Sequence, residues 1–188
     1  GADGTVRLWD AATGEQLRLL MKGGRVVETV AFSPDDSLGI AGGWNESTSV
    51  WDLDSGAVRL ELRGHTHYVG AVAFTPDGQR VATGGGDNTV RLWEMETGEE
   101  VLRLDAHDNA VHSLAFSPNG GTMLSGGGEG TARLWDVNSG RVLHTWSGHG
   151  SAVSSVAFSP DGVRWTKLID TKISTSADTH NNAFWDPL

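Results

Sequence analysis

The chain has 188 residues, with 14 basic and 24 acidic side chains, a formal charge of −10 and no cysteine. That balance argues against a broad nucleic-acid or anionic-membrane surface, and without cysteine neither a disulfide nor a thiolate metal site can form. No apolar run approaches the roughly 20 residues that cross a bilayer, and nothing at the start resembles a signal peptide, so the expected setting is cytoplasmic. Residue 1 is a glycine inside a motif already under way, so the chain is expected to begin within a longer sequence.

Taken in order, the chain repeats itself. Tryptophan falls at Trp9, Trp51, Trp93 and Trp135, each 42 residues after the last, within stretches such as Thr89-Val-Arg-Leu-Trp93. The same register holds for Phe32, Phe74, Phe116 and Phe158, for Pro34, Pro76, Pro118 and Pro160, and for Gly14, Gly56, Gly98 and Gly140. A period of about 40–45 residues with four short strands per unit is the signature of a propeller blade. The 26 glycines suit many tight turns between short strands.

The residues Gly64-His65, Ser159-Pro-Asp-Gly162, Trp51-Asp52 and Trp135-Asp136 resemble those of the WD-repeat family, over nearly the whole chain. The resemblance implies an all-β propeller of four-stranded antiparallel blades, about four per chain, with strands a to d running from the inside outwards. In the repeat of residues 64–105, strand a ends at Val72-Ala-Phe74 and a proline-led turn at Thr75-Pro-Asp-Gly78 follows. Strand b is Arg80 to Thr83, Gly84-Gly-Gly-Asp87 turns the chain, strand c is Thr89 to Trp93, and strand d is Val101 to Leu104. Applied throughout, this gives opening strands c and d in residues 1–22, blades at 23–63, 64–105 and 106–147, and an irregular last blade at 148–188. In that last repeat Val163–Asp170 reads as an insertion, with strand b returning towards Ser176-Ala-Asp178 and a worn strand c at Phe184-Trp-Asp186. The alternative is an unstructured tail, with Trp165 in strand b.

The resemblance also implies a buried polar network, common in such blades. Its members are His65, Thr83, Asp87 and Trp93 in one repeat, and His107, Ser125, Glu129 and Trp135 in the next. The last repeat offers His149, Ser174 or Ser176, Asp178 and Trp185. A hydroxyl, a histidine and an acid can also suggest nucleophilic catalysis, but an active site is needed once, whereas this set recurs. The expectation is therefore a structural network and no enzyme. In the first full repeat the corresponding residues are Gly23, Ala41 and Asn45, so the network vanishes as a unit and Trp51 is left to apolar packing.

Binding is expected where the repeat is broken at the rim. Trp44 stands where Gly86 and Gly128 stand in the following repeats. It is either a contact for a partner or a filler of the space left by the missing histidine. Arg25, His67, Tyr68, Asn109 and Ser151, in loops entering strand a, are further candidates, since aromatic and arginine side chains anchor interfaces. Lys22 and Arg25 make a basic spot too small to argue for phosphopeptide binding, and His65 and His67 have no third ligand for a metal. Asn45-Glu-Ser47 is a weak glycosylation sequon, and Trp146 and Trp165 are additional aromatic candidates. Arg7, Arg91 and Arg133 read as rim-exposed scaffold. The expected role is a noncatalytic scaffold for a protein or peptide partner, without cofactor or metal. One alternative is a half-propeller that pairs with a second copy into an eight-bladed ring, by recent duplication or engineering. Another is a fragment of a larger regulatory protein.

Overall fold

A computed structural model describes residues 1–21, 25–44, 47–162 and 165–168. Sixteen strands alternate with turns: β1 (Val6–Trp9), β2 (Gln16–Met21), β3 (Val27–Phe32), β4 (Leu38–Gly43), β5 (Ser47–Asp52), β6 (Val58–Arg63), β7 (Val69–Phe74) and β8 (Arg80–Gly85). They continue with β9 (Thr89–Glu94), β10 (Glu100–Asp105), β11 (Val111–Phe116), β12 (Thr122–Gly127), β13 (Ala132–Asp136), β14 (Val142–Trp146), β15 (Ser155–Phe158) and β16 (Trp165–Leu168). Among the described residues there is no helix. Three antiparallel four-stranded meanders, β3–β6, β7–β10 and β11–β14, are flanked by the two-stranded sheets β1–β2 and β15–β16.

The turns explain why the repeated residues sit where they do. Between the first two strands of each meander, a hydroxyl closes the loop: Thr75 Oγ1 accepts the Arg80 N–H at 3.0 Å, and Ser117 Oγ accepts that of Thr122 at 3.0 Å. Gly78, Gly120 and Gly162 end this turn at a φ of 70°, a region that a Cβ disfavours; Asp36 takes the same role at 58°. The aspartates after Trp51 and Trp135 cap the next turn, with Asp52 Oδ1 accepting the Ser55 N–H at 2.7 Å and Asp136 Oδ1 that of Ser139 at 2.8 Å. The Ser55 and Ser139 hydroxyls, and then these N–H groups, hold the Asp52 and Asp136 carboxyls below their ordinary values.

Packing is from sheet to neighbouring sheet. The first strands β3, β7, β11 and β15 lie side by side. Leu38, Ile40, Val50 and Leu62 of one meander meet Val69, Val72, Val81 and Trp93 of the next in a continuous apolar layer. Ala82, Val90 and Leu104 pack in the same way on Val111, Leu114, Met123 and Trp135. Burial between sheets, at roughly 25 cal/mol per Å² of apolar surface, sets their spacing.

The last repeat differs from the expectation. β16 pairs with β15 through Phe158↔Trp165, as Phe32↔Gly39, Phe74↔Val81 and Phe116↔Met123 pair upstream. Trp165–Leu168 is therefore the second strand in unbroken 42-residue register and not part of an insertion, in line with the alternative that places Trp165 in strand b. The physical reason is that the Ser159–Gly162 turn matches the earlier ones, with Gly162 N–H bonded to Ser159 O at 2.9 Å, so the chain returns at once. Ser174, Ser176, Asp178 and Trp185 lie outside the described residues.

Candidate functional site

Two sites follow from the repeat: one where it is kept and one where it is broken. In the meander β7–β10, His65 Nδ1 lies 2.9 and 3.0 Å from the Asp87 oxygens, and Nε2 lies 2.8 Å from Thr83 Oγ1. Trp93 Nε1 donates to the same Thr83 oxygen at 2.8 Å. A carboxylate only accepts, so His65 Nδ1 carries the proton and donates to Asp87. The neutral ring then accepts from Thr83, whose oxygen accepts from Trp93, and every group is satisfied in one direction. The Thr66 N–H and the Thr89 hydroxyl complete the Asp87 shell at 3.0 and 2.8 Å.

The electrostatics agree with that assignment. Burial pushes the His65 pKa down, against the upward pull of Asp87, which keeps the imidazole neutral. Burial pushes Asp87 up, but the hydrogen bonds from His65, Thr66 and Thr89 outweigh it and hold the carboxyl at about 2. The meander β11–β14 repeats the set. His107 bonds Glu129 Oε1 at 2.5 Å and Ser125 Oγ at 2.7 Å, and Trp135 Nε1 donates to Ser125 at 2.8 Å. The longer Glu129 leaves its Oε2 buried with no partner among the described residues.

In connectivity this is the order of a hydroxyl–histidine–acid triad. What separates it from one is access: Thr83 and Ser125 are fully buried, and each oxygen already accepts an indole N–H. No substrate atom reaches it. Gly85 and Gly127 are part of the same packing, since a Cβ at either would stand 2.4 or 2.3 Å from the histidine Nδ1.

In β3–β6 the network is missing. Ala41 takes the hydroxyl position and Trp51 Nε1 is buried without a partner among the described residues, while Gly23 and Asn45 lie outside the described residues. His149 Nε2 is likewise buried and unpaired among the described residues. By register Lys167, opposite Val156, holds the position of Thr83.

The second site lies where β3–β6 meets β7–β10. Trp44 stacks on Tyr68 at 5.2 Å and 24°, and its ring centre is 5.9 Å from that of His67, which meets Tyr68 edge-on at 5.0 Å. Trp44 Nε1 donates to Glu28 Oε1 at 2.8 Å. Glu28 is the extra residue of a β-bulge, because Val27 pairs with Gly43 and Thr29 with Gly42. A bulge re-aims its side chain, here towards the rim. Trp44 is 43% exposed, so it lies at the surface. Burial and then the Glu28 charge push the Tyr68 phenol up.

The corresponding positions at the next junction are Gly70 for Glu28, Gly86 for Trp44, Asn109 for His67 and Ala110 for Tyr68. Gly86 must stay small, since a Cβ there would meet His67 and Tyr68 at 2.6 Å. The aromatic–carboxylate cluster therefore occurs at one described junction and breaks the repeat.

The profile of the IFT122 first beta-propeller matches residues 26–181, well over half of the chain. The chain belongs to this family of WD-repeat β-propellers. Curated relatives include "WD repeat and SOCS box-containing protein 1" of Xenopus tropicalis, 39% identical over 66 residues, and its Homo sapiens counterpart, 38% over 65. "Protein tipD" of Dictyostelium discoideum is 31% identical over 65 residues. These matches cover 34%, 34% and 35% of this chain but only 16%, 15% and 11% of the relatives, so the chain spans a small part of their length.

Within the WD-repeat frame, the structure brings Trp44, His67 and Tyr68 together and leaves the other rim candidates apart. Asn109, exposed, caps the Ala110 N–H with its own Oδ1 at 2.7 Å, and Ser151 is exposed at the equivalent corner of the following repeat. Arg25 is exposed on the loop before Val26, whose carbonyl accepts the Trp44 backbone N–H at 2.9 Å. Lys22 lies outside the described residues. Trp146 is partly buried against Leu124, Ala132 and Val156, and the Trp165 side chain lies outside what is described. The reading of Arg91 as rim-exposed is corrected: it is 6% exposed. Its Nη1 is drawn inwards to Glu100 at 2.6 Å, and its Nη2 lies 3.8 Å from Asp87. Sequence reasoning missed Glu28; the signal was a carboxylate entering, in the same repeat as Trp44, at the position of Gly70 and His112.

Proposed function

We propose that this WD-repeat propeller is a noncatalytic platform, part of a longer protein, that binds a protein or peptide partner at the junction of Trp44, His67, Tyr68 and Glu28. The observation that carries the reading is the contrast between junctions: an exposed indole, backed by a second aromatic ring, stands where the next repeats have glycine. Exposed aromatic anchors beside polar groups are the usual energetic centres of protein interfaces. The buried hydroxyls of the network support a scaffold and no nucleophile. The test is selection from a displayed random-peptide library, followed by titration of the selected peptides against Trp44→Gly, which restores the residue of the other repeats. The expected result is a loss of affinity of about tenfold or more, the scale of an interface hot spot. Unchanged affinity across all selected peptides contradicts the reading.

A second reading is self-assembly. The sheet β1–β2 corresponds by the 42-residue register to strands c and d, and β15–β16 to a and b, so the two are complementary halves of one blade. Val30 and Phe32 of β3 and Trp9 of β1 are exposed. Two copies exchanging these halves would form an eight-bladed ring without open edges. Light scattering tests it: the exchange predicts twice the 19.9 kDa chain mass, and a single-chain mass at micromolar concentration contradicts it.

A further inference from the structure

The chemistry of the Trp44 junction, taken as the binding site argued above, specifies the side chain it holds. One face of the indole rests against Tyr68, and Trp44 as a whole remains 43% exposed. Glu28 is fixed at the indole edge by the bond from Nε1, and a carboxylate has lone pairs for further donors. Among the described residues Glu28 forms no ion pair, the exposed Arg25 included. An anionic ligand would be repelled by Glu28 and by the chain's net charge of −10. A purely apolar ligand would bury the carboxylate with the indole N–H but no opposite charge beside it. A guanidinium meets both demands, because its plane stacks on an aromatic face while its N–H fork reaches a carboxylate. An ammonium is more strongly hydrated and lacks the planar match.

We propose that Trp44 and Glu28, backed by Tyr68, seat one arginine side chain of the partner. The seat is built from two adjacent blades, Glu28 and Trp44 from one and Tyr68 from the next, so it exists only where these blades pack together. The chain's acidity draws a basic partner segment towards it and raises the rate of encounter at low salt.

The test uses the 188-residue chain labelled with nitrogen-15 and three probes: acetyl-Gly-Arg-Gly-amide, the same peptide with citrulline, and the same with lysine. Citrulline keeps the shape of arginine and removes its charge. The Trp44 indole N–H signal, assigned by its disappearance in Trp44→Gly, is followed during titration. The expected result is a saturable shift with the arginine peptide and binding about fivefold weaker for citrulline, with lysine between them. Glu28→Gln keeps an acceptor for the indole and should lower arginine binding to the citrulline level. Equal binding of arginine and citrulline, or no effect of Glu28→Gln, overturns the proposal. If library-selected peptides still require Trp44 in that case, the rim reading stands and the arginine assignment alone falls. If neither requires Trp44, both fall.

Discussion

The blades β3–β6 and β7–β10 share one backbone plan and differ in what they do with polar groups. In β7–β10 the Trp93 indole, Thr83, His65 and Asp87 form a chain in which each donor has an acceptor. In β3–β6 the Trp51 indole is buried without one among the described residues, and a carboxylate and an aromatic ring meet at the surface as Glu28 and Trp44. The blade with the closed network keeps the repeat, while the blade without it carries the irregularity proposed above as the partner's contact.

The comparison breaks most severely at Thr83. Thr83→Val keeps the shape but strands His65 Nε2 and the Trp93 N–H, and should lower unfolding free energy by about 3 kcal/mol in chemical denaturation. Ser125→Ala should behave alike, whereas Ala41→Val in the networkless blade should show no loss of this kind.

Acid sharpens the same contrast. The folded pKa of His65 is depressed below 6.5, so the unfolded chain binds more protons as pH falls, and stability is lost below about pH 6.5. Asp87 adds a second loss as pH falls from 3.8 through about 2, on the order of 2 kcal/mol. Both losses should be smaller in Thr83→Val, whose network is already broken; denaturant midpoints measured from pH 7 to pH 2 check this.

A smaller effect, of opposite sign, is expected from Ala41→Ser. The new hydroxyl stands where Thr83 and Ser125 stand and gives Trp51 Nε1 an acceptor, stabilising the chain by about 1 kcal/mol. Smallest is Trp44→Gly, which removes an exposed ring and its stack on Tyr68 and should cost about 0.5 kcal/mol in the same denaturation assay.

Much of this was legible before any coordinates. The ladder of Trp9, Trp51, Trp93 and Trp135 announces the blades, and the residue types at 65, 83, 87 and 93 name the network. Trp44 declares itself by replacing a glycine. Glu28 does not, because alternation along β3 gives no sign of which residue is the extra one in a bulge. Arg91 misled because charge suggests exposure, and only the approach of Glu100 and Asp87 accounts for its burial. Trp165 had two readings because its neighbours are unlike those of earlier repeats, and the 42-residue register, which puts it opposite Phe158, supports the one with Trp165 in strand b.

The central claim, that the networkless blade carries the binding surface, is tested most directly by amide hydrogen exchange on the chain with and without a library-selected peptide. The account predicts protection concentrated at residues 25–30, 43–44 and 66–70, with the corresponding corners at 109–112 and 128 unchanged. Protection spread evenly over all corners, or centred on β11–β14, would contradict it.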